Sequence, residues 1–250
     1  MTLLSLNNVS KRFLDGAREI LVLDRVSVEI DAGDLVGIYG ERRSGKSVLL
    51  EVAAGLEVPE DGTVSFAGNE ITRLSTSERA RFRRRHGIAL AGGDWRPGVG
   101  ISQPVLEHVA LPLTTDGLTL AESEAVARPV LDRFGLTQWA HASTERLSVS
   151  ERIRVELARA VVREPRLLLV DEPSVLSGPS ESRELYALLR SLATDSGVTV
   201  VIASEDMSAL DGVQRFMTLD GGRLRSTESR RRVLPFPERR SQGGNGPQAS

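Results

Sequence analysis

Apolar positions fall into two rhythms along the chain. The segments LLSLNNV (3–9), VSVEI (26–30) and DLVGIYG (34–40) carry strand patterning, and TVSFAG (63–68) is a further short strand. SGKSVLLEVAAGL (44–56) follows the third strand directly and reads as a helix. SERARFRRRHG (77–87) reads as a basic helix that presents a solvated face rather than a binding patch. From about Gly92 the texture changes. GGDWRPGVG (92–100) is a run of turn residues, and PVLEHVALPL, LAESEAVARPVLDRFGL and SERIRVELARAVV then space their apolar residues three and four apart, as helices do. Pro129 is expected to kink or restart the second of these helices.

The α/β alternation then returns. RLLLVDEP (166–173) is an apolar run ending in acids, the pattern of a strand buried on both faces of a parallel sheet. ESRELYALLRSLA reads as a helix, VTVVIAS as a strand and RFMTLDGGRLR as a closing hairpin. The whole predicts a parallel-sheet α/β core over 1–226, interrupted by a helical insert at about 92–160. A basic and then Gly/Pro/Gln-rich tail over 227–250 is expected to be disordered, with Arg230, Arg231, Arg232, Arg239 and Arg240 solvated rather than bound to lipid headgroups.

Composition changes this picture little. A net charge of −2 gives no molecule-wide field for nucleic acid, and the absence of cysteine excludes a disulfide scaffold or a thiolate metal site. His86, His108 and His141 are too scattered to suggest a metal centre. No apolar run reaches the ~20 residues of a membrane-spanning helix, and MTLLSLNNVSKRF lacks the apolar core of a signal peptide. A cytoplasmic location is expected, with any attachment to a membrane supplied by a partner. The 32 basic residues are 30 arginines and two lysines, Lys11 and Lys46. Drift toward arginine is harmless on a surface but not where a compact ammonium must fit, which puts weight on Lys46.

Lys46 lies in Gly40-Glu41-Arg42-Arg43-Ser44-Gly45-Lys46-Ser47, which fits G-x-x-x-x-G-K-[ST] between an apolar strand and a helix. Glycine lets such a loop turn its N–H groups inward, and the helix N-terminus adds partial positive charge for phosphates. Lys46 would reach the β- and γ-phosphates of ATP, and the Ser47 hydroxyl would ligate Mg²⁺. A buried strand then delivers Asp171 and Glu172 to its C-terminal end, where ligands of α/β sheets sit. Asp171 would hold the Mg²⁺, and Glu172 would orient or deprotonate the attacking water.

At this point the chain resembles the nucleotide-binding domains of ABC transporters, over residues 3–225. LVLDRVSVEIDAGDLVGIYG with the phosphate loop looks like the family's opening segment, and ERLSVSERIRVELARAVVREPRLLLVDEPS like its signature-to-Walker-B segment. LSTSERARFRRRHG and VLEHVALPL are similar to the branch of lipoprotein-releasing and macrolide-export systems. The resemblance implies a P-loop NTPase core of the RecA-like kind, with an N-terminal antiparallel β subdomain and the inserted helical one. It implies an ATPase subunit that drives a separate transmembrane permease from the inner face of the cell membrane. It also implies a homodimer or heterodimer that closes over two ATPs, each between one subunit's phosphate loop and the other's signature. Phe13 lies where the family puts an aromatic against the adenine ring, and a place in the core is the alternative for it.

Several motifs depart from the family pattern. The signature, usually LSGGQ, is Leu147-Ser148-Val149-Ser150-Glu151. Side chains replace both glycines, and a carboxylate about 5 Å from a phosphate charge costs on the order of 3 kcal/mol at an effective dielectric near 20. Ser148 and Glu151 also match a capping box at the start of a helix over 149–163, the preferred reading, with a residual role for Ser148. Glu205 replaces the switch histidine, and an ionised carboxylate cannot donate a hydrogen bond to a γ-phosphate. Ser177-Gly178 replaces the usual Leu-Asp, none of residues 91–95 is the glutamine expected there, Val48 replaces threonine, and Arg42 and Arg43 stand where small residues are usual. The groups that hold Mg-ATP and its water are kept while those that sense the γ-phosphate are altered. ATP binding with impaired hydrolysis is therefore expected. A regulator of the same fold without a permease, or a non-catalytic partner subunit, is the alternative.

Overall fold

A computed structural model of the chain describes residues 1–16, 18–92, 103–173 and 179–227. Strands β1 (Thr2–Asp15) and β2 (Arg18–Asp31) form a long antiparallel hairpin, and β1 pairs on its other edge with β4 (Asp61–Phe66), which is followed by β5 (Asn69–Glu70). The hairpin extends well past the segments whose alternation marks them as strands, because pairing carries Lys11–Leu14 and Glu19–Leu23 along with the clearly patterned part.

The second sheet has six strands in the order β10-β9-β3-β8-β7-β6. Here β3 is Leu35–Tyr39, β6 Ile88–Gly92, β7 Leu167–Asp171, β8 Thr199–Ser204, β9 Arg215–Asp220 and β10 Arg223–Thr227. All neighbours but β9 and β10 run parallel. Every residue of β7 and β8 is buried, as a strand covered on both faces requires. The period of two divides each strand between two cores. Leu168, Val170, Val200 and Ile202 face one with α3 (Val105–Thr115), α4 (Leu120–Arg133), α5 (Val149–Val161) and α6 (Pro179–Ser196). Leu167, Leu169, Val201 and Ala203 face the other, shared with α1 (Lys46–Ala53) and the antiparallel sheet.

Two helices add detail to the sequence expectations. Helix α4 runs unbroken through Pro129 and does not restart there. Pro129 and Ala125 both lie on the exposed face, so the carbonyl that loses its N–H partner meets water, while Ala127 and Leu131 anchor the buried face. Helix α2 (Thr76–His86) is not merely a solvated basic face. Arg79 is buried, and its Nε and an Arg83 guanidinium nitrogen donate to the Gly55 carbonyl at 3.0 and 2.9 Å, tying α2 to the end of α1. Among the described residues no helix is long and apolar enough to cross a membrane. The expectations for residues 93–95, for Ser177-Gly178 and for the tail from residue 228 lie outside the described residues.

Candidate phosphate and metal site

Strand β3 ends in the loop that opens α1, and the loop is shaped by one residue in particular. Gly45 has φ +102°, and a Cβ there would meet the Val22 carbonyl oxygen at 3.0 Å. Val22 stands in that position because the β1–β2 register slips between Lys11↔Leu23 and Arg12↔Leu21, leaving it as the extra residue of a bulge. Gly45 is also the N-cap of α1 and offers no side-chain cap, so the first N–H groups of the helix remain available to an anion. Arg43 too is left-handed, at φ +65°, in a region that costs a non-glycine residue about 1–2 kcal/mol. Glu41, Arg42, Arg43 and Ser47 are exposed, whereas Val48 packs its side chain against the core.

Lys46 is 6% exposed and uses all three ammonium hydrogens. It donates to the Gly40 carbonyl at 2.8 Å and the Glu41 carbonyl at 3.0 Å, and it pairs with Glu172 Oε1 at 3.0 Å. Strand β8, between β3 and β7, sets this meeting. Gly40 N–H donates to the Ser204 carbonyl at 3.3 Å, and Glu172 N–H donates to the Ala203 carbonyl at 2.9 Å. Glu172 adopts φ +46°, which turns the chain as it leaves the sheet. Its second carboxylate oxygen accepts the Glu205 backbone N–H at 3.1 Å. The switch position therefore meets Glu172 through its backbone, and the Glu205 residue is exposed.

Asp171 is 4% exposed at the end of β7. Gly92 is needed beside it, since a Cβ on Gly92, whose φ is +95°, would lie 2.0 Å from the Asp171 carbonyl oxygen. Glu51, one turn beyond Ser47 on α1, was not singled out by sequence. Its burial, then the charges of Glu57 and Asp171, raise its pKa above the usual carboxylate value. Glu51 and Asp171 are therefore close enough to influence each other's charge, on α1 and at the end of β7. Among the described residues no cluster of three or more acidic, histidine or cysteine side chains could hold a metal alone. A hydroxyl and one carboxylate, completed by phosphate oxygens, is the donor set that suits Mg²⁺.

Ser148 N-caps α5 through a complete capping box. Ser148 N–H and Oγ donate to Glu151 Oε2 at 2.7 and 2.8 Å, and Glu151 N–H donates back to Ser148 Oγ at 3.3 Å. The helix ends at Val161, two residues before the expected limit. Val149 is exposed and Ser150 half-buried. Phe13 is 39% exposed and belongs to neither core, which removes the core alternative for it.

Residues 23–175 match the ABC transporter family model. The lipoprotein-releasing system ATP-binding protein LolD of Shewanella denitrificans is 34% identical over 92% of this chain and 97% of that protein. The macrolide export ATP-binding/permease protein MacB of Burkholderia pseudomallei is 32% identical over 89% of this chain, corresponding to 33% of that longer protein. The solved dimer of the ATP-binding cassette MJ0796 bound to ADP and Pi superimposes with a TM-score of 0.83 and 26% identity, over 90% of this chain and 98% of that one. With a phosphate loop, an acidic strand end beside it and this shared fold, the chain belongs to the ABC transporter family as an ATP-binding subunit.

Proposed function

We propose that this subunit binds Mg-ATP on residues 40–48, hydrolyses it slowly and couples it to a separate transmembrane permease at the inner face of the membrane. The observation that carries the reading is the Lys46–Glu172 pair at 3.0 Å, which puts the phosphate-binding ammonium and the water-activating carboxylate in one place. Ser47 and Asp171 would hold the Mg²⁺, which would neutralise charge on the phosphate oxygens. Glu172 orients or deprotonates the attacking water. Phe13 stacks on the adenine from the rim of the β1–β2 hairpin.

Slow hydrolysis rests on the altered groups. Glu205 has no side-chain proton to give a γ-phosphate when ionised. Glu151 is held by Ser148 in a helix cap and presents a carboxylate where the family pattern has a neutral amide. In a heterodimer with an intact ABC subunit, this chain's ATP would face the partner's signature, and its own altered signature would face the partner's ATP. Turnover of the purified chain, alone and mixed with such a partner, tests this. Slow turnover alone and a rise on mixing are expected, whereas a rate of about 1–100 s⁻¹ for the chain by itself, the range of kinases, contradicts it.

A further inference from the structure

Lys11 is the second of the chain's two lysines and has no part in the phosphate site. It is 8% exposed, unusual for a lysine on a two-stranded rim, and its three ammonium hydrogens meet three acceptors. These are the Val58 carbonyl at 2.8 Å, Glu60 Oε1 at 3.2 Å and Glu57 Oε2 at 3.2 Å. Burial alone would lower the Lys11 pKa, but hydrogen bonds and attraction from Glu57 and Glu60 outweigh it and hold it above its ordinary value. The Lys11 ammonium also lies 5.0 Å from the centroid of the Phe13 ring, within cation–π range.

The acceptors all come from the segment that follows α1. Leu56 and Glu57 N–H both donate to the Glu51 carbonyl of that helix, so the segment is fastened to the helix that the phosphate loop opens. Glu60 Oε2 accepts the Arg12 N–H at 2.6 Å, which fastens the same segment to β1 a second time. Phe13 sits one residue beyond that clamp, opposite Ile20 and beside the exposed Leu14 and Leu21. Two residues along β2 from Ile20, the bulged Val22 abuts Gly45. An exposed apolar rim therefore stands beside a phosphate cradle, and Lys11 joins the two.

We infer that Lys11 is a positioning residue for nucleobase binding: it holds the Phe13 ring at a fixed place relative to the phosphate loop, so that one ligand can engage both. The inference rests on the reading of Phe13 as the base-stacking aromatic. A guanidinium is planar and longer than an ammonium and does not fit three acceptors around one nitrogen, so Lys11→Arg disturbs the clamp as Lys11→Met does.

The test compares equilibrium binding of Mg-ATP with that of Mg-tripolyphosphate, which has no base, by the full chain and its variants. Lys11→Met, Lys11→Arg and the double variant Glu57→Gln/Glu60→Gln are each expected to weaken ATP binding about tenfold. Tripolyphosphate binding by each stays within about twofold of wild type, which also reports an intact phosphate loop. Phe13→Ala is expected to show the same split. If Phe13→Ala leaves the ATP-to-tripolyphosphate ratio unchanged, the base-stacking reading fails and the inference with it. If Phe13→Ala shows the split while the Lys11 and Glu57/Glu60 variants change both ligands equally, or neither, Lys11 has only a structural role and the inference alone is overturned.

Discussion

The Glu172 carboxylate reaches in two directions, with one oxygen 3.0 Å from the Lys46 ammonium and the other accepting the Glu205 backbone N–H at 3.1 Å. It joins the phosphate loop to the end of β8, two segments separated in sequence by more than 150 residues. Under the proposed function, a phosphate that draws the Lys46 ammonium away from Glu172 frees, in the same event, the carboxylate assigned to water activation.

This competition gives the first prediction. Glu172→Gln removes the charge that holds Lys46 while keeping the side chain's shape, so Mg-ATP is expected to bind about three- to tenfold more tightly, about 1 kcal/mol. Turnover falls by tenfold or more, because general-base assistance contributes about 10²–10⁴-fold. Binding and single-turnover measurements on the same preparation check both halves.

Ser148 is read as a helix cap. Ser148→Ala is expected to cost about 1 kcal/mol of stability, the usual loss for a hydroxyl N-cap, and to lower Tm by about 2–4 °C at this chain length. Mg-ATP affinity of the isolated chain stays at the wild-type value. Thermal denaturation and equilibrium binding test the two parts independently, and a large loss of affinity contradicts the capping role.

Glu51 predicts a pH dependence. Its folded pKa is raised by burial and by the charges of Glu57 and Asp171, so the fold favours the protonated carboxyl. That contribution is present below the unfolded value of about 4.3 and is lost as pH rises through the folded value. At pH 8 the ionised Glu51 opposes folding, and Glu51→Gln is expected to raise Tm by about 1–3 °C. The gain disappears toward pH 4, and melting curves across that range display the trend.

Glu205→His restores a side chain that can donate to a γ-phosphate from the end of β8. An increase in turnover of about tenfold, with ATP affinity changed less than threefold, is expected. Steady-state assays of the homodimer and of the mixed dimer measure it.

Contiguous segments were the legible part of the molecule. The phosphate loop, the run Leu167–Asp171 and the capping box each carry their signal within eight residues, and each has the local structure its pattern implies. Features made by distant segments carried no such mark. Nothing near Lys11 in sequence announces Glu57, Val58 and Glu60, and the bulge at Val22 exists only in the pairing of two strands. The basic run of α2 showed charge but not the Gly55 carbonyl that Arg79 and Arg83 share. At Pro129 a proline's local cost is visible in sequence, but the packing of Ala127 and Leu131 that carries α4 through it without a restart is not. Glu51 could have been found by counting one turn on from Ser47 along α1.

Equilibrium binding of Mg-ATP by the wild-type chain and by Lys46→Ala tests the central claim most directly. Saturable binding by wild type and a loss of about 100-fold or more in Lys46→Ala, close to 3 kcal/mol, is the predicted result. Equal affinity in the two proteins, or no binding by either, contradicts it.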